Sequence, residues 1–200
     1  MTEHWERIYS ASAAADLEWH EPVPATLPMV LRCGDATDSV IDVGGGASTL
    51  ARHLLDRGYD DVTVADVSGR ALDLARTALG GRGERVLWLH ADVVVMEPER
   101  QWSVWHDRHI FHFLVDASQR ADYSRAVMAA VGEGGHIIVS TFASEGPERS
   151  AGLPVARYTV EQLAAEFSAG FELVEAEASL PLVDAKRRRF PYVAVRMRRR

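Results

Sequence analysis

Short runs rich in Val, Ile and Trp recur along the chain with helical stretches between them, and this alternation restricts the fold more than any other feature. Val40–Val43, Val62–Val67, Arg85–Leu89, Trp102–His106 and His136–Phe142 have the length and composition of buried strands. Between them, Ser48–Arg57, Gly69–Leu79 and Ser118–Val131 carry apolar residues three and four apart, as in Leu50 with Leu54 and Leu72 with Ala75 and Leu79. Repeated strand–helix–strand units predict a parallel sheet with helices on both faces. After a helix expected over Val160–Phe167, the strands Phe171–Ser179 and Phe190–Met197 are separated by PLVDAKRRR, which is too short for a helical crossover. The expectation is an α/β, doubly wound, mostly parallel sheet of seven strands with an antiparallel strand pair at the C-terminal edge.

With 200 residues there is enough chain for one core but hardly for two, so residues 1–200 are read as a single domain. It divides into an N-terminal segment, 1–37, and a core, 38–200. A net charge of -7 argues against a chain that works by neutralising a nucleic-acid backbone. Basic residues do crowd into Lys186–Arg200, but Arg196 and Arg198 alternate with Val195 and Met197, the pattern of a half-buried strand. A lone cysteine, Cys33, cannot form an internal disulfide and is read as an inert, partly buried thiol. No apolar run approaches a membrane span, and MTEHWERIYS lacks the pattern of a secretion signal, so a cytoplasmic location is expected. In the first segment, HWERIYSASAAADLEWHEPVP carries Trp5, Tyr9 and Trp19, which either pack on the sheet or form a lid over a ligand.

The stretch VIDVGGGAST puts Gly44, Gly45 and Gly46 at the carboxyl end of the first strand, where open parallel sheets bind their ligands. Asp66 ends the second strand, 20 residues beyond Gly46, near the offset at which an acid grips a ribose hydroxyl pair. A dinucleotide would require a third glycine where Thr49 stands, and Asp42 beneath the loop would repel a pyrophosphate. An oxidoreductase is therefore disfavoured. S-adenosylmethionine has a ribose and a cationic amino-acid end but no phosphate, so Asp42 can sit beneath the methionyl part while Asp66 takes the ribose.

DVGGGAS, VADVS, HADV and GEGGHIIVSTF, over about residues 38–142, resemble the successive motifs of the class I S-adenosylmethionine-dependent methyltransferases. The resemblance implies a Rossmann-like core in which Asp92 accepts from the adenine amine, Val93 offers its backbone N–H to the ring, and Gly134 and Gly135 turn into the fifth strand. Expected cofactor contacts are Trp5, Asp42, Gly44, Gly45, Gly46, Asp66, Val67, Asp92, Val93 and His106.

The fourth strand ends in VWHDRHIFHFL, from Val104 to Leu114, where the methyl group should point. Asp107 is its only carboxylate, a base or orienter on one reading and an ion-pair or loop-fixing group on the other. His106, His109 and His112 recur every three residues, yet lack an identifiable carboxylate or thiolate partner for a metal. No metal is assigned, and the histidines are read as pocket lining or packing. Trp5, Trp19-His20, Asp107-Arg108 and STFASEGPERSAGLPVARYTVEQLAAEF together resemble the thiopurine S-methyltransferases and their tellurite- and selenium-methylating relatives. That resemblance implies catalytic roles for Asp107 and Arg108, with Gly152 to Arg157 at the substrate mouth. Trp19, His109, His112 and Phe142 complete the expected substrate contacts. A thiol or selenol ionises near neutral pH, so a small molecule with a soft nucleophile suits such sparse acid–base equipment. The alternatives are a protein lysine N-methyltransferase, with Asp107 or Glu145 holding the ammonium, and a noncatalytic S-adenosylmethionine-binding module.

Overall fold

The structure is a computed structural model describing the backbone of residues 1–183 and 189–200 and the side chains of residues 1–178 and 190–200. The basic run Lys186–Arg188 lies outside the described residues. The N-terminal segment holds α1 (Thr2–Ala11) and α2 (Leu27–Leu31). There follow β1 (Val40–Val43), α3 (Leu50–Leu55), β2 (Val62–Asp66), α4 (Gly69–Leu79), β3 (Val86–His90) and β4 (Trp102–Arg108). The second half contains α5 (Ala117–Ala130), β5 (Val131–Phe142), the hairpin β6 (Arg149–Ser150) and β7 (Leu153–Pro154), α6 (Val160–Phe167), β8 (Phe171–Val183) and β9 (Arg189–Arg199).

Seven strands form one sheet in the order β3-β2-β1-β4-β5-β9-β8. β1 to β5 run parallel, and β9 is antiparallel to both β5 and β8. The order reverses at β1, whose neighbours are β2 and β4, so a crevice opens at the carboxyl ends of these strands.

Side chains alternate between the two faces, and the core divides accordingly. Ile41, Val43, Trp105, Ile137 and Val139 pack on one face with Tyr123 and Val127 of α5 and Leu163 and Phe167 of α6. Val40, Val62, Val64, Val104 and Ile138 pack on the other with Leu27 and Val30 of α2, Leu50 and Leu54 of α3 and Leu72 of α4. Caps fix where two of the helices begin. Ser68 accepts from Ala71 N at 3.1 Å at the head of α4, and a capping box joins Thr159 and Gln162 at the head of α6.

Several boundaries differ from the expectations, three of them near the crevice or in its strands. α3 is shorter than Ser48–Arg57 because residues 44–49 are used by the glycine loop and its following turn, where Ser48 Oγ accepts from Leu50 N at 3.1 Å. β4 continues to Arg108 rather than stopping at His106. β5 begins at Val131, upstream of the glycine pair, and the register against β4 jumps between Trp102 and Val104; Gly134, at φ 77°, lies in that irregularity. The β6–β7 hairpin was not anticipated, since two-residue strands carry no periodicity. Cys33 is half-buried, donates to Met29 O at 3.3 Å, and burial pushes its thiol up to about 12.

Candidate active site

At the crevice a cavity of about 300 Å³ lies between the strand ends and the N-terminal segment. Gly44, Gly45, Asp66, Val67, Asp92 and Val93 line one half. Arg108, His109, His112, Phe113, Phe142 and Tyr192 line the other.

Trp5 and Tyr9, one helical turn apart on α1, are its buried residues and cover the cavity. Trp5 meets Trp19 edge-on at 5.8 Å and Phe113 at 5.1 Å, while Tyr9 meets Trp19 at 6.3 Å. Such aromatic pairs are worth about 0.5–1.5 kcal/mol each beyond their burial, enough in sum to hold the segment closed. Polar ties add to them: His4 Nε2 is 3.0 Å from Ala151 O beside the β6–β7 hairpin, and Arg108 donates to Trp19 O at 3.1 Å. Glu21 is 3.6 Å from Arg108 and accepts from Ala25 N at 2.8 Å. Arg108, expected to face the acceptor, therefore also anchors the segment that closes over it.

The glycine loop makes two close approaches. A Cβ on Gly45 would stand 2.8 Å from both Asp42 Oδ2 and Val64 Cγ1. Gly46 has φ 36°, and a Cβ there would meet Asp66 Oδ2 at 2.8 Å and Tyr9 Oη at 2.9 Å. The loop is thus pressed onto both acids and onto α1. Gly45→Ala is expected to lower stability by about 1–3 kcal/mol through overpacking, read as a reduced melting temperature; an unshifted melting curve would mean that the loop relaxes freely.

Asp66 accepts from Ser68 N at 2.8 Å. Burial raises its carboxyl to about 7, the backbone N–H groups of Ser68 and Gly46 pull it back, and the Asp42 charge raises it further. Asp92 accepts from Val94 N at 3.0 Å and borders the same half of the cavity.

Not every anticipated contact reaches the cavity. Among the described residues, Asp42, Gly46, His106 and Asp107 do not line it. Asp42 lies directly beneath Gly45, and its Oδ1 is 2.7 Å from His106 Nδ1. Asp107, expected to be catalytic, points to the opposite face, where it accepts from Tyr123 Oη at 2.5 Å, Ile110 N at 2.9 Å and Phe111 N at 3.4 Å. Tyr123 in turn accepts from Trp105 Nε1 at 2.9 Å. Burial raises the Asp107 carboxyl to about 6, with the Tyr123 hydroxyl opposing it. Asp107 is thus bonded to the turn carrying the acceptor-side residues and does not line the cavity. This geometry matches the loop-fixing one of its two readings.

His109 and His112 are both in the cavity wall, whereas His106 lies beneath the glycine loop beside Asp42. His109 adopts φ 76°, a conformation that costs a non-glycine residue about 1–3 kcal/mol and that collects at functional sites. Its ring stacks on Tyr192 at 4.4 Å, and His112 lies 4.6 Å from Phe142. Burial, then the Arg108 charge, holds His109 well below the usual imidazole range; burial alone brings His112 down to about 3. His109 Nε2 and both ring nitrogens of His112 have no hydrogen-bond partner among the described residues. No group of three His, Cys, Asp or Glu among the described residues could hold a metal ion.

Of the cavity residues, Tyr9 was read only as part of a packing or lid segment, Phe113 only as part of the stretch after the fourth strand, and Tyr192 was passed over. Tyr9 had a signal in its four-residue spacing from Trp5. Tyr192 had none, because it arrives from β9, far along the chain.

Residues 40–135 match the family described as a methyltransferase domain. No curated protein sequence gives a significant match. Among solved structures, one connected with the conversion of a disulfide bond into a thioacetal group during echinomycin biosynthesis is similar at 20% identity, covering 100% of this chain and 93% of its own, with a TM-score of 0.81. The Burkholderia thailandensis 1,6-didemethyltoxoflavin-N1-methyltransferase, solved with 1,6-didemethyltoxoflavin and S-adenosylhomocysteine, is similar at 21% identity over 99% of this chain and 83% of its own, TM-score 0.70. The N-methyltransferase NodS from Bradyrhizobium japonicum WM9, in complex with S-adenosylhomocysteine, is similar at 16% identity over 97% of each chain, TM-score 0.72. At these identities the likeness is one of fold. Residues 40–135 thus match a methyltransferase domain, and the chain as a whole has the fold of these Rossmann-like structures. Among the described residues no helix is long and apolar enough to cross a membrane.

Proposed function

We propose that the protein transfers the methyl group of S-adenosylmethionine to a small molecule with a soft nucleophile, a thiol, a selenol or a similar atom. When bound, that cofactor supplies a methyl group already activated on a sulfonium. Asp66 would accept from its ribose hydroxyls, Asp92 would accept from its adenine amine, and Val93 would offer its backbone N–H to the ring. Gly44, Gly45 and Gly46 let the chain pass close to its amino-acid end, above Asp42. The fit rests on two features: the carboxylates face a loop that carries no cation for a phosphate, and Asp42 Oδ2 is buried without a partner among the described residues. Trp5 and Tyr9 exclude water from above.

The observation that carries the choice of acceptor is that the histidines and the carboxylate at the end of the fourth strand offer no competent base. His109 and His112 are held neutral with weak affinity for a proton, and Asp107 is turned away. A hydroxyl or an ammonium must lose a proton to react, and neither His109 nor His112 takes it readily. A thiol or selenol brings its own lone pair, and the Arg108 guanidinium in the same wall favours its anion. Chemistry then depends mainly on alignment and dryness. The resemblance to thiopurine S-methyltransferases and their selenium-methylating relatives agrees with this. A lysine acceptor has less support, since neither Asp107 nor Glu145 borders the cavity.

The test offers the purified protein methyl-labelled S-adenosylmethionine with a panel containing a thiol, a selenol, an aromatic amine, a phenol and a lysine peptide. Mass spectrometry should find the label on sulfur or selenium. Label confined to the peptide would replace this reading with the lysine one.

A further inference from the structure

β1 and β4 pair so that Asp42 stands opposite His106, and both fall on the face covered by α2 and α3. His106 is fully buried between two partners, with Nδ1 2.7 Å from Asp42 Oδ1 and Nε2 2.7 Å from Thr26 Oγ1. Thr26 and Asp42 are buried as well. A carboxylate only accepts, so Nδ1–H donates to Asp42, while Nε2 pairs with the Thr26 hydroxyl, which can donate or accept. This arrangement uses both ring nitrogens and orients the carboxylate. The other oxygen, Asp42 Oδ2, has no partner among the described residues and is the atom 2.8 Å from a Cβ placed on Gly45. A buried acceptor without a donor is costly unless a ligand brings one.

We propose that His106 and Thr26 are positioning residues that hold Asp42 beneath the glycine loop, from where its charge acts through Gly45 to favour the ammonium group at the amino-acid end of the cofactor. This rests on the cofactor assignment above. Neither residue lines the cavity, so both act through Asp42. Thr26 also belongs to the N-terminal segment, which is tied to the helix after the glycine loop: Thr49 Oγ1 donates to Glu21 O at 2.9 Å, and His53 Nε2 lies 2.8 Å from Pro22 O. The closing segment and the orientation of Asp42 therefore share their anchors.

Calorimetry on the full chain with two probes tests the proposal: S-adenosylhomocysteine, which has the ammonium, and 5′-methylthioadenosine, which lacks the amino-acid end. His106→Phe keeps a ring of similar size without either hydrogen bond. It should weaken S-adenosylhomocysteine by about tenfold or more and leave methylthioadenosine within about twofold. His106→Asn, whose amide N–H can stand where Nδ1–H does, should recover S-adenosylhomocysteine affinity to within about threefold of the parent. Equal losses for both probes, unchanged affinity in His106→Phe, or an Asn variant as impaired as the Phe variant would overturn the positioning role. If His106→Phe does not fold, Thr26→Val should lower S-adenosylhomocysteine affinity by about threefold and spare methylthioadenosine, and parallel changes would overturn the role. A parent protein that binds neither nucleoside instead defeats the cofactor assignment, and the positioning role with it.

Discussion

Asp66→Ala is expected to weaken S-adenosylmethionine binding by about 3 kcal/mol, roughly a hundredfold in Kd, because it removes the acceptor of two charge-assisted hydrogen bonds. The same site predicts a pH dependence. In the free protein burial holds the Asp66 carboxyl at about 7, so it is increasingly protonated below that pH. Ribose hydroxyls donate, and so bind the ionised form better. Affinity should therefore fall as pH drops through 7, by up to about tenfold per unit until the pKa of the complex is reached, with proton release in the calorimeter. Asp66→Asn should flatten the profile. For the free protein the sign is reversed: a folded pKa raised from 3.8 makes the Asp66 contribution to stability complete below 3.8 and lost as pH rises through about 7. Ligand binding and ligand-free stability should thus move in opposite directions over this window. An Asp66→Ala protein with unaltered affinity would remove Asp66 from the cofactor site.

Asp107→Asn should act on the fold before it acts on the chemistry. The carboxylate is fully buried and accepts from one hydroxyl and two backbone N–H groups, and an amide offers one oxygen where two are used. The expected loss is about 3 kcal/mol, which in a chain of this size lowers the melting temperature by roughly 6–12 °C. S-adenosylhomocysteine affinity measured well below the transition should stay within about threefold of the parent. Turnover falls only as far as the Ile110–Phe113 turn loses its alignment. An unshifted melting curve with turnover abolished would return Asp107 to the chemistry.

The two substitutions separate what spacing reveals from what it hides. The places of Gly44, Gly45, Asp66 and Asp92 at the crevice were legible because each stands at the carboxyl end of a strand whose period is plain in the chain, and an open parallel sheet collects such ends together. Helices α4 and α6 were legible to the residue, having clear apolar spacing and serine or threonine caps. The sequence left Asp107 open between a base and a loop-fixing group because side chains alternate along a strand and its face depends on whether the strand reaches it. Extending β4 to Arg108 turned Asp107 toward Tyr123 and left His106 beside Asp42. The dependence of Asp42 on Thr26 was equally hidden, since 80 residues separate Thr26 from His106.

Local order in this chain, its strands, helices, glycine loop and the acids at strand ends, followed from the sequence by itself, because hydrophobic period and capping act between near neighbours. Tertiary structure alone decided which acids meet the cavity, that α1 closes over it, and that His109 and His112 reach it as neutral rings with ring nitrogens left unpaired among the described residues. Those properties arise from burial and from contacts between distant segments, and desolvation is a property of the assembled site rather than of any stretch of residues.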